Sequence, residues 1–134
     1  MKQDSMNSRQ KAREIAFKLI FEYTFNKTQN NEMFEEYTAG LTADEISYIS
    51  EVYNGVISHY DELVEKISEN CKNFTFDRLF KVDLALLLLA LYEITYIKSI
   101  PNKVSVDEAL NLADKYSSEK STKYINGVLA NFLR

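Results

Sequence analysis

Apolar residues recur along this chain at spacings of three and four, in long stretches separated by short polar links. That pattern predicts amphipathic helices and not strands. In "NSRQKAREIAFKLIFEYTFN", which begins at Asn7, residues Ala12, Ile15, Ala16, Leu19, Ile20 and Tyr23 form one stripe. Phe17, Phe21 and Phe25, spaced by four, fall on the opposite side. A helix apolar on two sides is expected to be central, and Asn7 or Ser8 is placed to cap it. A short helix is expected over residues 32–38.

"LTADEISYISEVYNGVISHYDELVEKISENCK" opens with Thr42 and Glu45 at capping-box spacing, then continues through Ile46, Ile49, Tyr53, Val56 and Ile57. Leu63, Val64 and Ile67 resume the period after a predicted break at 59–61, with Asp61 as the next cap. "FDRLFKVDLALLLLALYEITYIKS" is apolar nearly all round over 84–92 and is the expected core helix of the second half. A loop with the single proline, Pro101, follows. Ser105 and Glu108 then have the spacing of a second capping box, with Val104 placed to staple against Ala109. In the last helix, "STKYINGVLANFL", Ile125, Val128, Leu129 and Phe132 point inward. An interior glycine costs about 1 kcal/mol relative to alanine, so Gly127 predicts close approach of a neighbouring helix.

Composition narrows the fold class. The chain has 134 residues, 46% of them hydrophobic, which suffices for one domain spanning 1–134 with a real core. Three glycines and one proline are too few for the turns of a sandwich or barrel. The prediction is an all-α bundle of six or seven helices. The single cysteine, Cys71, forms no internal disulfide and is expected in the core, which fits a reducing compartment. The polar start shows no signal peptide, and the nine-residue apolar run at 84–92 is far short of the roughly 20 residues that span a bilayer. A soluble, cytoplasmic protein without a membrane partner is expected.

Charge is unevenly distributed. The formal net charge is -4, yet residues 1–31 carry +3, residues 32–69 carry -9 and residues 70–134 carry +2. Such polarity lets one surface attract a polyanion while another repels it.

Catalytic chemistry finds little support. His59 and Cys71 are the only residues of their types, twelve apart, with neither a nucleophile–base nor a metal-ligand pattern. Glycines at 40, 55 and 127 cannot build a phosphate loop. Carboxylates are plentiful, but almost all read as caps or solvated faces. No enzyme, cofactor or metal is expected.

The basic start is more informative. Arg9, Lys11 and Arg13 crowd a helix N-terminus, whose partial positive charge normally favours acids. A bound polyanion would offset that conflict; a solvated helix start is the plainer alternative. Lys120, Lys123 and Tyr124 form a second cluster on the last helix, where an aromatic ring beside amines suits an unpaired base and its phosphates. Tyr124 packing at the core edge is the competing reading. So few cations predict weak, salt-sensitive binding that needs a helper.

Three stretches, "RQKAREIAFKLIF" (9–21), "VDLALLLLALYEI" (82–94) and "IPNKVSVDEALNLADKYSSEKSTKYINGVL" (100–129), resemble the signature segments of the NusB family of bacterial transcription antitermination factors. The resemblance implies two helical subdomains, about 1–72 and 73–134. It implies binding of single-stranded boxA RNA from ribosomal RNA operons, jointly with the small-subunit ribosomal protein NusE, to promote readthrough by RNA polymerase. By position it assigns RNA contacts to Arg9, Lys11, Arg13 and Tyr124, and NusE contacts to the region of Asp83, Tyr92 and Glu93. Gln10 stands where the family commonly has arginine, and Lys120 where it often has an acid. On this reading Arg13→Glu weakens RNA binding with little effect on stability. The alternative is a purely protein-binding helical module or homodimer.

Overall fold

Helix α1 (Ser8–Asn26) begins where the sequence places its cap: the Asn7 side chain accepts the Gln10 N–H at 2.7 Å, and the Gln10 side chain accepts the Asn7 N–H at 3.0 Å. Its stripe of Ala12, Ala16, Leu19, Ile20 and Tyr23 is buried, and so is Phe17 on the other side, its ring 5.1 Å from that of Tyr116. Two-sided burial makes α1 central, as its pattern predicts. The computed structural model describes residues 6–71 and 79–133 and has seven helices and no strand among them.

Helix α2 (Asn31–Thr38) is capped by Asn30, and α3 (Ala43–Ser58) by the predicted box of Thr42 and Glu45. His59 separates α3 from α4 (Tyr60–Glu69), at the predicted break. Asp61, expected as a cap, lies instead in the first turn of α4, where its charge still suits the helix dipole. Helix α5 (Lys81–Tyr96) is buried continuously from Asp83 to Ile94 and forms the axis of the second half. The first residues of its expected segment, 76–78, lie outside the described residues, as does the expected subdomain boundary near 72–73.

Helix α6 (Asn102–Tyr116) starts directly after Pro101, a turn earlier than the Ser105–Glu108 pattern suggests. Ser105 is therefore interior and not a cap, and Val104 is exposed and staples nothing. Helix α7 (Glu119–Ala130) is capped by Ser118. Cys71 is half-buried at the end of α4, its thiol 3.2 Å from the Ile67 carbonyl.

Side-chain bonds fix the helix directions. Arg13 meets Glu93 while Lys81 reaches the Thr24 carbonyl, so α1 runs antiparallel to α5. Ser105 meets Glu93 while Ser117 meets Asp83, so α6 is antiparallel to α5 as well. Both halves feed a single core cluster. The glycines exchange their expected roles. A Cβ on Gly55 of α3 would sit 2.2 Å from the Tyr92 ring of α5, whereas one on Gly127 would meet nothing within 4 Å. The close approach expected at Gly127 occurs at Gly55.

Opposite outcomes are expected at these two glycines. Gly55→Ala should destabilise the fold by about 1–3 kcal/mol, the usual cost of overpacking. Gly127→Ala should stabilise it by up to about 1 kcal/mol, because α7 gains helix propensity and nothing clashes. Urea unfolding followed by circular dichroism reads both, and shifts of the same sign would contradict the packing.

Acid sensitivity is a separate expectation. Burial opposes the charge on Glu14, but Lys115 and Tyr116 more than offset it and hold its carboxyl below the usual range. The Thr42 N–H and the Ser8 hydroxyl do the same for Glu45, and the Tyr96 hydroxyl for Glu62. A carboxyl whose pKa is lowered by folding contributes stability above its unfolded pKa of about 4.3 and loses it as pH falls through the folded value. The melting temperature should therefore hold from neutrality to about pH 5 and fall below about pH 4. Glu14→Gln should flatten that acid limb in a pH series of thermal melts.

Candidate nucleic-acid interface

The first turn of α1 is held from both sides. The Ser8 hydroxyl donates to Glu45 at 2.7 Å, tying it to α3. The Gln10 amide donates to both Glu108 oxygens, at 3.2 and 3.0 Å, tying it to α6. Between these anchors the exposed Arg9 lays its guanidinium over the Tyr48 ring, 4.4 Å from the centroid. Lys11, two positions on and about 200° round the helix, is exposed as well. Neither Arg9 nor Lys11 makes an ion pair among the described residues. The first turn itself contains no acid, but the Glu45 and Glu108 carboxylates bonded to Ser8 and Gln10 bring negative charge to it, which eases the conflict with the helix dipole read from the sequence.

Arg13 behaves differently. Its side chain is 3% exposed, with Nε 2.8 Å from Glu93, itself 1% exposed. The second guanidinium contact is 3.4 Å. The Ser105 hydroxyl donates to Glu93 at 2.7 Å, and the Tyr48 hydroxyl donates to it too. Burial works against the Arg13 charge, but Tyr48, Glu93 and Glu108 together raise its pKa above the ordinary arginine value. Burial, then the Glu93 charge, pushes the Tyr48 phenol well up, keeping it a neutral donor. The expectation that Arg13 presents an open cation is thus corrected: its charge is neutralised inside the fold.

The residues expected to face a protein partner are likewise internal. Glu93 belongs to the cluster just described. Asp83 is 3% exposed and accepts from Ser117 at 3.0 Å and Ser121 at 2.8 Å. Tyr92 is 7% exposed and fills the space left by Gly55. Their placement accounts for all three as parts of the core.

The second cluster lies on α7. Lys120 and Lys123 are exposed, Lys123 only 3.8 Å from Glu119, and Tyr124 is half-buried. Leu79, Phe80, Asp83, Ser121, Lys120 and Tyr124 line most of a cleft of about 230 Å³. Burial, then Cys71 and Asp83, raises the pKa of the Tyr124 phenol. This cleft adjoins the Asp83 end of α5, whereas Arg9 and Lys11 adjoin the Glu93 end. Ten residues of helix separate those ends, about 15 Å. The two clusters do not meet; they stand at opposite poles of one helix pair.

Sequence reading missed Tyr48, Glu108 and the Lys115–Glu14 pair, whose nitrogen and oxygen are 2.7 Å apart. Tyr48 carried one signal: it lies four residues before Val52 on the buried face of α3, and a buried tyrosine needs a partner for its hydroxyl. Among the described residues no group of three His, Cys, Asp or Glu could hold a metal, and no helix is long and apolar enough to cross a membrane.

Comparison with known proteins adds independent information. A family model described as the NusB family matches residues 10–134. A transcription antitermination protein NusB from Clostridium novyi is 37% identical over 131 residues, covering 95% of this chain and 98% of its own. One from Finegoldia magna is 35% identical over 129 residues, covering 95% and 94%. Among solved structures, T. maritima NusB matches with a TM-score of 0.86 at 28% identity, over 93% of this chain and 89% of that one. A crystal structure of the antitermination factors NusB and NusE in complex with dsRNA matches with a TM-score of 0.84 at 25% identity, over 96% and 97%.

The Glu93 cluster generates its own prediction. Arg13→Glu sets a second acid against buried Glu93 and should cost about 3–5 kcal/mol or more, the range typical of breaking a buried pair. The small stability effect expected from sequence is therefore replaced by a large one. Arg13→Met combined with Glu93→Leu should recover part of the loss. Urea denaturation of the three proteins tests this; wild-type stability in Arg13→Glu would refute the buried pair.

Proposed function

The chain belongs to the NusB family, and from that premise we propose that it is a non-enzymatic transcription antitermination factor. It binds boxA-type single-stranded RNA together with NusE and promotes readthrough of ribosomal RNA operons by RNA polymerase. The observation that carries the RNA side of this reading is the pinned first turn of α1, which presents Arg9 and Lys11 outward with no ion-pair partner among the described residues. Backbone cations of this kind fix register on a strand but do not select its sequence. Lys120, Lys123 and Tyr124 supply a second contact toward the Asp83 end of α5, where an aromatic ring and amines suit a splayed base. Arg13 contributes by positioning α1 and not by touching phosphate.

Few contacts mean modest affinity, and NusE supplies the remainder. Asp83, Tyr92 and Glu93 are occupied internally, so the partner surface is sought among exposed apolar side chains. Phe25 and Phe80, 59% and 69% exposed, are the most prominent among the described residues. The Lys81 amine stands 6.0 Å from the centre of the Phe25 ring, which makes α1 and α5 neighbours at this point. The same exposure favours the second reading, a protein-only module or homodimer.

Titration of labelled boxA RNA, with and without NusE, at 50 and 200 mM salt separates the two. Antitermination predicts weak binding alone, tighter binding with NusE, and steep loss with salt. Arg9→Glu and Lys120→Glu should each weaken binding and lower the salt slope by about one unit or more. A complex indifferent to both substitutions and to salt would sink the RNA reading and leave the protein-only one.

A further inference from the structure

We infer that Tyr48 is a positioning residue for RNA: its ring holds the Arg9 guanidinium in a fixed, outward-facing pose before the strand arrives. This rests on the RNA-binding reading above and adds to it a residue that touches no RNA. Three observations carry it. First, Arg9 lies 4.4 Å from the Tyr48 ring centre, within cation–π range, while its side chain remains exposed. Second, Tyr48 cannot swing away. It is 4% exposed, and its hydroxyl donates to Glu93, which also holds Arg13 and Ser105. Third, the residues flanking Arg9 are tied down separately, Ser8 to Glu45 and Gln10 to Glu108.

An arginine on an open surface samples many rotamers, and ordering it on binding costs free energy. Stacking on a ring that is itself locked removes part of that cost in advance. A phenol donating its hydrogen to a carboxylate also becomes more electron-rich, which strengthens the negative face that the guanidinium covers. The buried cluster thus reaches the surface through one ring. Its acid lies inside, beneath Tyr48, and one edge of the Arg9 cation stays available to a phosphate.

A double-mutant cycle tests this, using fluorescence anisotropy with fluorescein-labelled boxA RNA, the full chain and NusE. Tyr48→Leu should weaken binding about two- to fivefold, the size of an exposed cation–π contact. In an Arg9→Ala background the same substitution should add no further loss. Equal losses in both backgrounds would mean that Tyr48 acts through general stability, and would overturn the inference while leaving the RNA reading intact. Wild-type affinity in Arg9→Ala would overturn both the use of this pole for RNA and the inference built on it. Circular dichroism establishes whether Tyr48→Leu folds. If it does not, Tyr48→Phe carries the test: it keeps the ring, so its affinity should stay within about twofold of wild type. A loss as large as that of Arg9→Ala would refute the platform.

Discussion

A single buried carboxylate organises this molecule. Glu93 projects from α5 and is met by Arg13 from α1, Tyr48 from α3 and Ser105 from α6. Burying an ion pair gains little net stability against an apolar core, because desolvation cancels most of the attraction. What it contributes is registry: with an unpaired charge so costly inside, the four helices have one mutual arrangement that satisfies every group. Sliding α1 by one turn would move Arg13 about 5 Å from its acid. The positions of Ser8, Arg9 and Lys11 are consequences of that constraint.

Neutralising Arg13 also changes what the basic pole can do. Three cations in sequence become two at the surface, and Gln10, where an arginine would add a third, instead closes the capping box and bonds Glu108. A helix start built this way gains order and gives up charge. In the proposed role that trade favours placement over strength: fewer cations on phosphate lower affinity for every sequence alike, while a fixed geometry keeps the strand in one register. On that reading, a partner supplies the affinity that so few cations cannot.

How much was readable beforehand depended on how local the determining interaction is. The caps at Asn7 and Thr42, the two-sided burial of α1 and the fully apolar α5 follow from residues within a few positions of one another, and each is visible in the sequence. Arg13 was not, because its partner lies 80 residues away and long cations ordinarily remain at the surface. Ser105 misled for a related reason. Its spacing to Glu108 fits a cap, but Pro101 starts the helix earlier and the hydroxyl turns to Glu93. Gly55 and Gly127 are alike as helix-interior glycines; only the arrival of Tyr92 distinguishes them. Tyr48 looked like any core aromatic, since nothing nearby in sequence names its acid or the arginine on its face.

The acidic segment completes the picture. Residues 32–69 carry a net charge of -9, with Glu32, Glu36, Asp44, Glu51, Asp61 and Glu65 exposed along α2 to α4. The Arg9–Tyr48 platform lies at the border of this region, since Tyr48 itself belongs to α3. In the proposed role, a polyanion held by Arg9 is repelled by the exposed acids of α2 to α4. Repulsion thereby narrows the paths open to the strand, and narrowing matters most where attraction is modest. In the proposed role, few cations and many acids direct a single strand chiefly by where it cannot lie.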